Sequence, residues 1–246
     1  MGCDRGESDG LMKVLDHGFV ELIDSMPAAV DVVDVWGAGD QRVVDAARVS
    51  ITGRGVRAVS DDKKLLRYLL TNRHTSPFEK VRFEFDVKLP IFVARQWVRH
   101  RTGSFNEMSA RYGVMADDFY VPARDRMQAQ ATDNKQGSGD ILPIMPAIDA
   151  KELIRASSNQ AYADYKELLA IGLARELARM VLPVNLYTRW WWTVDLHNLM
   201  GFLRLRLHSH AQYEIRVYAE AIRALVRGVA PFTMSVFDET IGVPHV

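Results

Sequence analysis

The stretch from Val81 to Leu89 constrains the fold of this chain more than any other. Val81, Phe83, Phe85, Val87 and Leu89 alternate with Arg82, Glu84, Asp86 and Lys88. A period of two sets the apolar side chains on one face of a strand and the charges on the other. A sheet with one buried and one wet face is antiparallel rather than a parallel sheet covered on both sides. The flanks agree. Asn72-Arg73-His74-Thr75-Ser76-Pro77-Phe78 reads as a turn leading in. Pro90 then starts a helix carrying Ile91, Phe92, Ala94, Arg95, Trp97 and Val98, because proline is tolerated in a first helical turn.

Other segments follow the same logic. Residues 12–36 alternate loosely through Val14, Leu15, Phe19, Val20, Leu22 and Ile23, which predicts one or two strands. Asp40 to Val49 has helical spacing. Ser60-Asp61-Asp62 opens a helix bearing Leu65, Leu66, Leu69 and Leu70, which must stop before Pro77. Residues 124–140 carry little hydrophobic content and read as a loop. Asp149 to Leu182 predicts a long helix or helix pair ended by Pro183. Asp195–Leu207 and His210–Val226 complete a helical C-terminal half. Trp190-Trp191-Trp192 is read as aromatic packing. Strands early and helices late, without regular βαβ alternation, predict the α+β class. The expectation is a single domain over residues 1–246. A mainly antiparallel sheet packs against helices, the long helices lie in the C-terminal half, and residues 1–11 form a mobile N-terminus. No Gly-x-Gly-x-x-Gly follows a strand, and Gly53-Arg54-Gly55 is too short to suggest a dinucleotide-binding unit.

Composition excludes several functions. The chain has 246 residues, 48% of them hydrophobic, enough to bury a sizeable core. Thirty-one basic residues balance thirty-one acidic ones, so no global field draws the protein to nucleic acid or acidic lipid. The one cysteine, Cys3, permits no intrachain disulfide and suits a reducing compartment. It lies in the polar, glycine-rich segment Met1–Gly10, without the fixed electropositive surround that a catalytic thiol needs. The acidic N-terminus lacks the apolar core of a signal peptide, and no apolar run approaches the roughly 18 residues that span a bilayer. A cytoplasmic protein is expected.

Chemistry concentrates between Arg95 and Tyr112. Arg95, Arg99, Arg101 and Arg111 place four guanidiniums within 17 residues, with His100, Ser104, Asn106 and Ser109 among them and Glu107 the only acid. The ordinary reading is a solvated helix face paired with acids elsewhere. Here, however, polar residues occupy a turn directly after an apolar helix. Ser109-x-Arg111 offers a hydroxyl, a backbone amide and a planar fork together, which suits a phosphate monoester. Ser109 as a nucleophile has no evident base beside it. His74, before a turn, is more often structural than catalytic. Arg179, among Leu177, Ala178, Met180 and Val181, must meet an anion or snorkel. Arg204 and Arg206 fall on different helix faces, so one rather than both would face a ligand. His208 and His210 have strand spacing in a helical context, and no metal site is expected.

These clusters together resemble the flavin-dependent thymidylate synthases. Arg99-His100-Arg101 followed after seven residues by Ser109 is similar to the signature of that family. So are Phe19-Val20-Glu21-Leu22, Ala46-Ala47-Arg48-Val49-Ser50, the turn His74–Pro77, Pro90-Ile91-Phe92-Val93-Ala94-Arg95-Gln96-Trp97, Val181-Leu182-Pro183-x-Asn185-Leu186-Tyr187-Thr188-Arg189 and Ser209-His210-Ala211-Gln212. The resemblance spans roughly residues 12–240. It implies an NADPH-oxidising methyltransferase of α+β fold that converts dUMP to dTMP, with 5,10-methylenetetrahydrofolate as carbon donor and FAD reduced by NADPH. It also implies a homotetramer with sites shared between subunits. By resemblance, Arg99, His100 and Arg101 hold FAD, with Ser50, Ser76, Glu107, Asp195 and His197 beside it and His74 near the flavin as a catalytic residue. Gln96, Arg99, Glu107, Met108, Ser109, Ala110, Arg111 and Arg179 match dUMP-binding positions. Arg206 matches the arginine that activates the pyrimidine. The residues agree with this implication. C5 of uracil is a weak nucleophile, and a chain with no placed thiol must activate it by stabilising negative charge on the ring, which a guanidinium does electrostatically.

Two positions depart from the family pattern. Ala110 stands where glycine is usual, so a positive φ there would be strained. Gly201 stands where a polar side chain usually helps hold FAD. They motivate a second reading, a flavin reductase or oxidase without methyl transfer. A third reading, an RNA-binding module using the Arg95–Arg111 patch and the tryptophans, is opposed by the neutral net charge and the lack of an RNA-binding motif.

Overall fold

The computed structural model describes residues 10–28, 35–49, 59–132 and 137–241. Cys3, Ser50 and Gly53-Arg54-Gly55 lie outside the described residues. Strands β1 (Leu11–Val14) and β2 (Gly18–Met26) form the expected pair; Leu11, expected in a mobile terminus, belongs to β1. The alternating segment is β3 (Arg82–Pro90), and it lies centrally in a five-stranded sheet of order β1-β2-β3-β7-β4, with β4 at Ser104–Glu107 and β7 at Tyr187–Asp195. Every pairing in the sheet is antiparallel.

The inner face of β3 is as its pattern demands: Phe83, Phe85, Val87 and Leu89 are buried. Its outer face is not wet. Asp86 is buried, because Arg189 on the neighbouring β7 lays its guanidinium across the carboxylate, Nε to Oδ1 at 2.8 Å. Lys88 pairs with Asp118 at 2.5 Å. A central strand has neighbours on both edges, and their long side chains cover its charged face.

The expectation of strands only in the first half is corrected by β7. Thr188, Trp190, Trp192 and Val194 are buried, while Arg189 and Trp191 are exposed. The period of two is present, but the exposed Trp191 between two buried tryptophans makes it look like an apolar run. The loop expected at 124–140 is also corrected. It contains a 3₁₀ turn and a small hairpin of β5 (Gln128–Gln130) and β6 (Ser138–Ile141). Backbone pairing needs no apolar side chains, and one buried residue, Met127, anchors the hairpin.

Helices cover the sheet. They are α1 (Ala38–Arg48), α2 (Val59–Thr71), α3 (Ile91–Trp97), α4 (Ile144–Ala170), α5 (Arg175–Ala178), α6 (Leu196–Arg206), α7 (Tyr213–Arg227) and α8 (Pro231–Ile241). α8 has no counterpart in the sequence reading, and α4 begins before Asp149. Asp40 joins α1 to α8. Its buried carboxylate accepts from Gly37 N at 3.0 Å, Phe232 N at 3.0 Å, Thr233 N at 2.8 Å and Thr233 Oγ1 at 2.6 Å. Burial pushes this carboxyl above its ordinary range, and the hydrogen bonds pull back. No described helix is long and apolar enough to cross a membrane.

The core is centred on Trp97, which is fully buried. Its ring stacks on Phe202 of α6 at 4.7 Å and meets Trp190 and Trp192 of β7 edge-on at 5.6 and 5.1 Å. Tyr218 of α7 closes the group at 6.0 Å.

Two substitutions test this packing. A Cβ on Gly18 would collide with the Tyr218 hydroxyl and with the carbonyls of Val14 and Lys88. Gly18→Ala is expected to cost about 1–3 kcal/mol, the range for overpacking, seen as a lower midpoint in chemical denaturation. At the end of α2, Arg73 takes a left-handed φ of 57° while His74 N bonds Leu69 O at 2.9 Å. Glycine suits that conformation better, so Arg73→Gly is expected to raise stability by up to about 1 kcal/mol.

Candidate active site

The last turn of α3 begins the site. Arg99 N bonds Gln96 O at 3.4 Å and His100 N bonds Trp97 O at 2.9 Å, so the chain turns tightly out of the helix just after its buried tryptophan. Arg99 and Arg101 are thereby exposed on either side of a half-buried His100. Neither arginine has an ion-pair partner among the described residues.

Phe202 and Arg206 lie four apart on α6 and so share a face. Phe202 meets the His100 ring edge-on at 5.0 Å. Arg206 donates from Nε to His100 Nε2 at 3.0 Å and from Nη2 to the Gln96 carbonyl at 3.1 Å. For His100 to accept there, it must be neutral with its proton on Nδ1. Burial, then the Arg206 charge, lower its pKa to about 4, which keeps it neutral. Arg204 is exposed on the other side of the helix, so one arginine of this pair reaches the site, as the spacing requires. The Gln96 side chain donates to Gln212 Oε1.

A second group forms around Ser109. Glu107, on edge strand β4, accepts from Thr188 Oγ1 at 2.7 Å. Met108 N bonds Arg189 O at 2.9 Å, which ties the following turn to β7. Ser109 Oγ accepts from Arg111 N at 3.3 Å. Arg111 Nε is 3.6 Å from a Glu176 carboxylate oxygen, and Arg179 Nε donates to Glu176 O at 3.3 Å. Two guanidiniums therefore converge on one residue of α5 beside the Ser109 turn. The apolar residues around Arg179 do not form a buried stripe. Arg179 lies in a 3₁₀ turn after α5 and is exposed, together with Leu177 and Met180. Ala110 is buried against Tyr165, Ala178 and Leu186. It is not among the residues with positive φ, so the strain raised for it does not arise.

The remaining expected residues lie around the start of α6. Asp195 caps that helix, accepting from Asn198 N at 2.9 Å, and His197 follows in the first turn. The exposed His74 and Ser76 precede the 3₁₀ turn Phe78–Lys80, which packs on α6; His74 meets Tyr68 edge-on at 5.6 Å. Gln96, His100 and Arg206 are thus joined directly, and Ser109, Arg111 and Arg179 form a second group in which Ser109 meets Arg111 and both arginines meet Glu176. Among the described residues no hydrogen bond joins His74 or Asp195 to either. Ser50 is outside the described residues. Two participants carried no signal for these roles: Glu176, and Gln212, which is 116 residues from its partner Gln96. The rings of His208 and His210 touch, 4.9 Å apart. Among the described residues no group of three or more His, Cys, Asp or Glu could hold a metal ion.

The donor chemistry fits a dinucleotide cofactor. The uncompensated Arg99 and Arg101 suit a diphosphate. Gly201 leaves open space, with nothing within 4 Å of a Cβ built on it, so no side chain there contributes to a ligand.

Two measurements follow. Unfolded, histidine takes up its proton near 6.5; His100 in the fold does so near 4. Between those values the unfolded chain holds more protons, so stability falls as the pH drops from about 6.5 toward 4. Thermal melts at pH 7 and pH 5 are expected to differ more for the natural protein than for His100→Gln. Gly201→Ala is expected to add roughly 0.5–1 kcal/mol by its helix propensity, raising Tm by a few degrees.

Residues 31–232 match the family described as thymidylate synthase complementing protein. The chain is 49% identical over 230 residues to a flavin-dependent thymidylate synthase of Gluconobacter oxydans strain 621H, covering 92% of this chain and 72% of the relative. It is 50% identical over 228 residues to that of Anaplasma marginale strain St. Maries, covering 93% and 74%. A solved UMP/dUMP methylase from Streptomyces cacaoi, bound with 5-Br dUMP, superposes with a TM-score of 0.80 at 34% identity. The match covers 93% of this chain and 97% of that one.

Proposed function

This chain belongs to the flavin-dependent thymidylate synthase family, and we propose that it methylates dUMP to dTMP by charge stabilisation of the pyrimidine, without a cysteine nucleophile. The observation that carries the reading is the fixed Arg206. A half-buried guanidinium is held at Nε by His100 and at Nη2 by the Gln96 carbonyl, which aims the rest of its fork in one direction.

The reaction consumes dUMP, 5,10-methylenetetrahydrofolate, NADPH and a proton, and yields dTMP, tetrahydrofolate and NADP⁺. The carbon arrives one two-electron step above a methyl group, and NADPH supplies the two electrons. FAD, when bound, supplies the redox relay. Arg99, His100 and Arg101 would hold it, with Ser50, Ser76, Glu107, Asp195 and His197 beside it and His74 near the flavin. His100 has only Nδ1–H left for that contact, since Nε2 serves Arg206.

Ser109, Arg111 and Arg179 take the dUMP phosphate. The hydroxyl and two forks around Glu176 offer charge-assisted hydrogen bonds to a dianion. Gln96, Arg99, Glu107, Met108 and Ala110 line the nucleotide. Arg206 faces the N3–C4 carbonyl edge of the ring and stabilises the negative charge that grows there as C5 attacks. Because His100 is neutral, Arg206 keeps its full positive field for the ring.

The same reading takes the enzyme to be a cytoplasmic homotetramer with sites shared between subunits. Supporting this, Met108, Leu177, Met180 and Val184, close in the chain to Ser109 and Arg179, are 47%, 43%, 73% and 62% exposed. Such an apolar surface suits a subunit contact.

The test is dTMP formation by purified protein from dUMP, methylenetetrahydrofolate and NADPH, with and without added FAD. FAD-dependent product supports the reading. NADPH oxidation indifferent to dUMP, with no dTMP, would favour the reductase instead. Arg206→Ala is expected to lower kcat by 100-fold or more with dUMP affinity within a few-fold. Ser109→Ala is expected to weaken dUMP binding about tenfold while turnover of bound substrate changes little.

A further inference from the structure

A cleft of about 320 Å³ opens between the β5–β6 hairpin and the turn from α6 to α7. Its walls include Arg126, Gln128 and Ser138 on the hairpin side and His210, Gln212 and Arg216 on the other. No carboxylate lines it. Both guanidiniums lie over the ring of Tyr213, at 4.3 and 5.8 Å from its centroid, which holds both at the cleft. Arg126 is oriented further by its bond to Gln128 Oε1 at 2.8 Å, and Arg216 by its bond to Ser209 O at 3.3 Å. Each has one acid nearby, on the side away from the cleft lining. Glu214 is 3.8 Å from Arg126 and is already engaged by the Tyr120 hydroxyl at 3.1 Å. Glu220 is 3.8 Å from Arg216 and points from an exposed position one turn along α7.

With no carboxylate in its lining, the cleft offers an entering anion two guanidiniums and several neutral donors. The Ser109 group shares no residue with this cleft, so the phosphate of dUMP is accounted for elsewhere. The cleft does adjoin the reacting centre: Gln212 lines it and also accepts the hydrogen bond from Gln96, whose carbonyl holds Arg206. A ligand seated here would extend past Gln212 toward Arg206.

We propose that Arg126 and Arg216 bind the anionic arm of a co-substrate whose reactive end reaches the Arg206 centre past Gln212. The inference rests on the proposed function. Carboxylates and phosphates satisfy it equally by chemistry. The reaction offers one of each: the glutamyl carboxylates of the folate and the phosphates of NADPH. A cleft of this size holds one or two glutamyl units or a phosphate-bearing ribose rather than a whole cofactor. The hairpin is then a specificity element rather than a bare connection.

The experiment uses the full-length protein with flavin bound, as Arg216→Gln and Arg126→Gln. Arg216 is the cleaner site, because Arg126→Gln also leaves the buried Glu214 without its cation. Equilibrium binding of folate monoglutamate and triglutamate is measured by calorimetry, alongside KM for NADPH, affinity for dUMP and flavin content. If the arm is a glutamyl tail, Arg216→Gln weakens triglutamate binding about tenfold and monoglutamate binding less. If it is the dinucleotide, KM for NADPH rises about tenfold and folate affinity is unchanged. In both cases flavin content and dUMP affinity stay within twofold. The proposal is overturned if neither ligand is affected by Arg216→Gln, or if the variant loses flavin or dUMP to the same degree. A natural protein that makes no dTMP would reject the proposed function itself, and the calorimetry would still report on the cleft.

Discussion

The packing of Trp97 is the interaction on which the site depends. One indole ring touches strand β7 through Trp190 and Trp192, helix α6 through Phe202 and helix α7 through Tyr218. The indole N–H groups of all three tryptophans are buried without hydrogen-bond partners. The near-perpendicular contacts of Trp97 with Trp190 and Trp192, at 84° and 88°, set positive ring edges toward negative ring faces and soften that cost. Because Trp97 ends α3, the residues after it inherit its position. Arg99, His100 and Arg101 leave the core from a fixed point. Phe202, stacked on the same indole, sets the face of α6 from which Arg206 projects.

From that scaffold follows an electrostatic arrangement. A histidine beside an arginine in a half-buried place is forced neutral, and a neutral imidazole can accept the arginine's Nε–H. The pair thereby resolves a conflict that would arise between two cations. It leaves one guanidinium fixed in direction and fully charged. The same economy governs Asp86 and Arg189 on the outer face of the sheet, where a buried carboxylate is kept by a fork reaching across from the next strand. In the second group the Glu176 carboxylate pairs with Arg111 while Arg179 donates only to the Glu176 backbone carbonyl, which leaves the Arg179 charge without an acid.

The elements legible in the sequence are those with one clean period. β3 is visible because nothing interrupts its alternation, and α3 because a proline marks its start and an apolar stripe follows. β7 was hidden although its alternation is as regular, since the exposed Trp191 is chemically like its buried neighbours. The β5–β6 hairpin was hidden for the opposite reason: it is stabilised by backbone pairing and one anchor, and its polar side chains announce no strand. The exposure of Leu177 and Met180 beside Arg179 was not legible, because a short apolar run suggests burial, whereas these side chains remain on the surface of the chain.

Among the residues of the site, sequence alone determined which types are present and how they are spaced. A Ser-x-Arg turn and a cluster of arginines with Glu107 as its one acid pointed toward phosphate recognition, and the family resemblance implied charge-based activation in a chain whose one cysteine lies near its start. Spacing along α6 also required that Arg204 and Arg206 diverge. Only the tertiary structure decided which partners they meet. The bond from Arg206 to His100 joins residues 106 apart, and that from Gln96 to Gln212 joins residues 116 apart. Such contacts leave no period or motif in the chain, because side-chain periodicity reports the geometry of one element while these bonds depend on how several elements pack around a shared core.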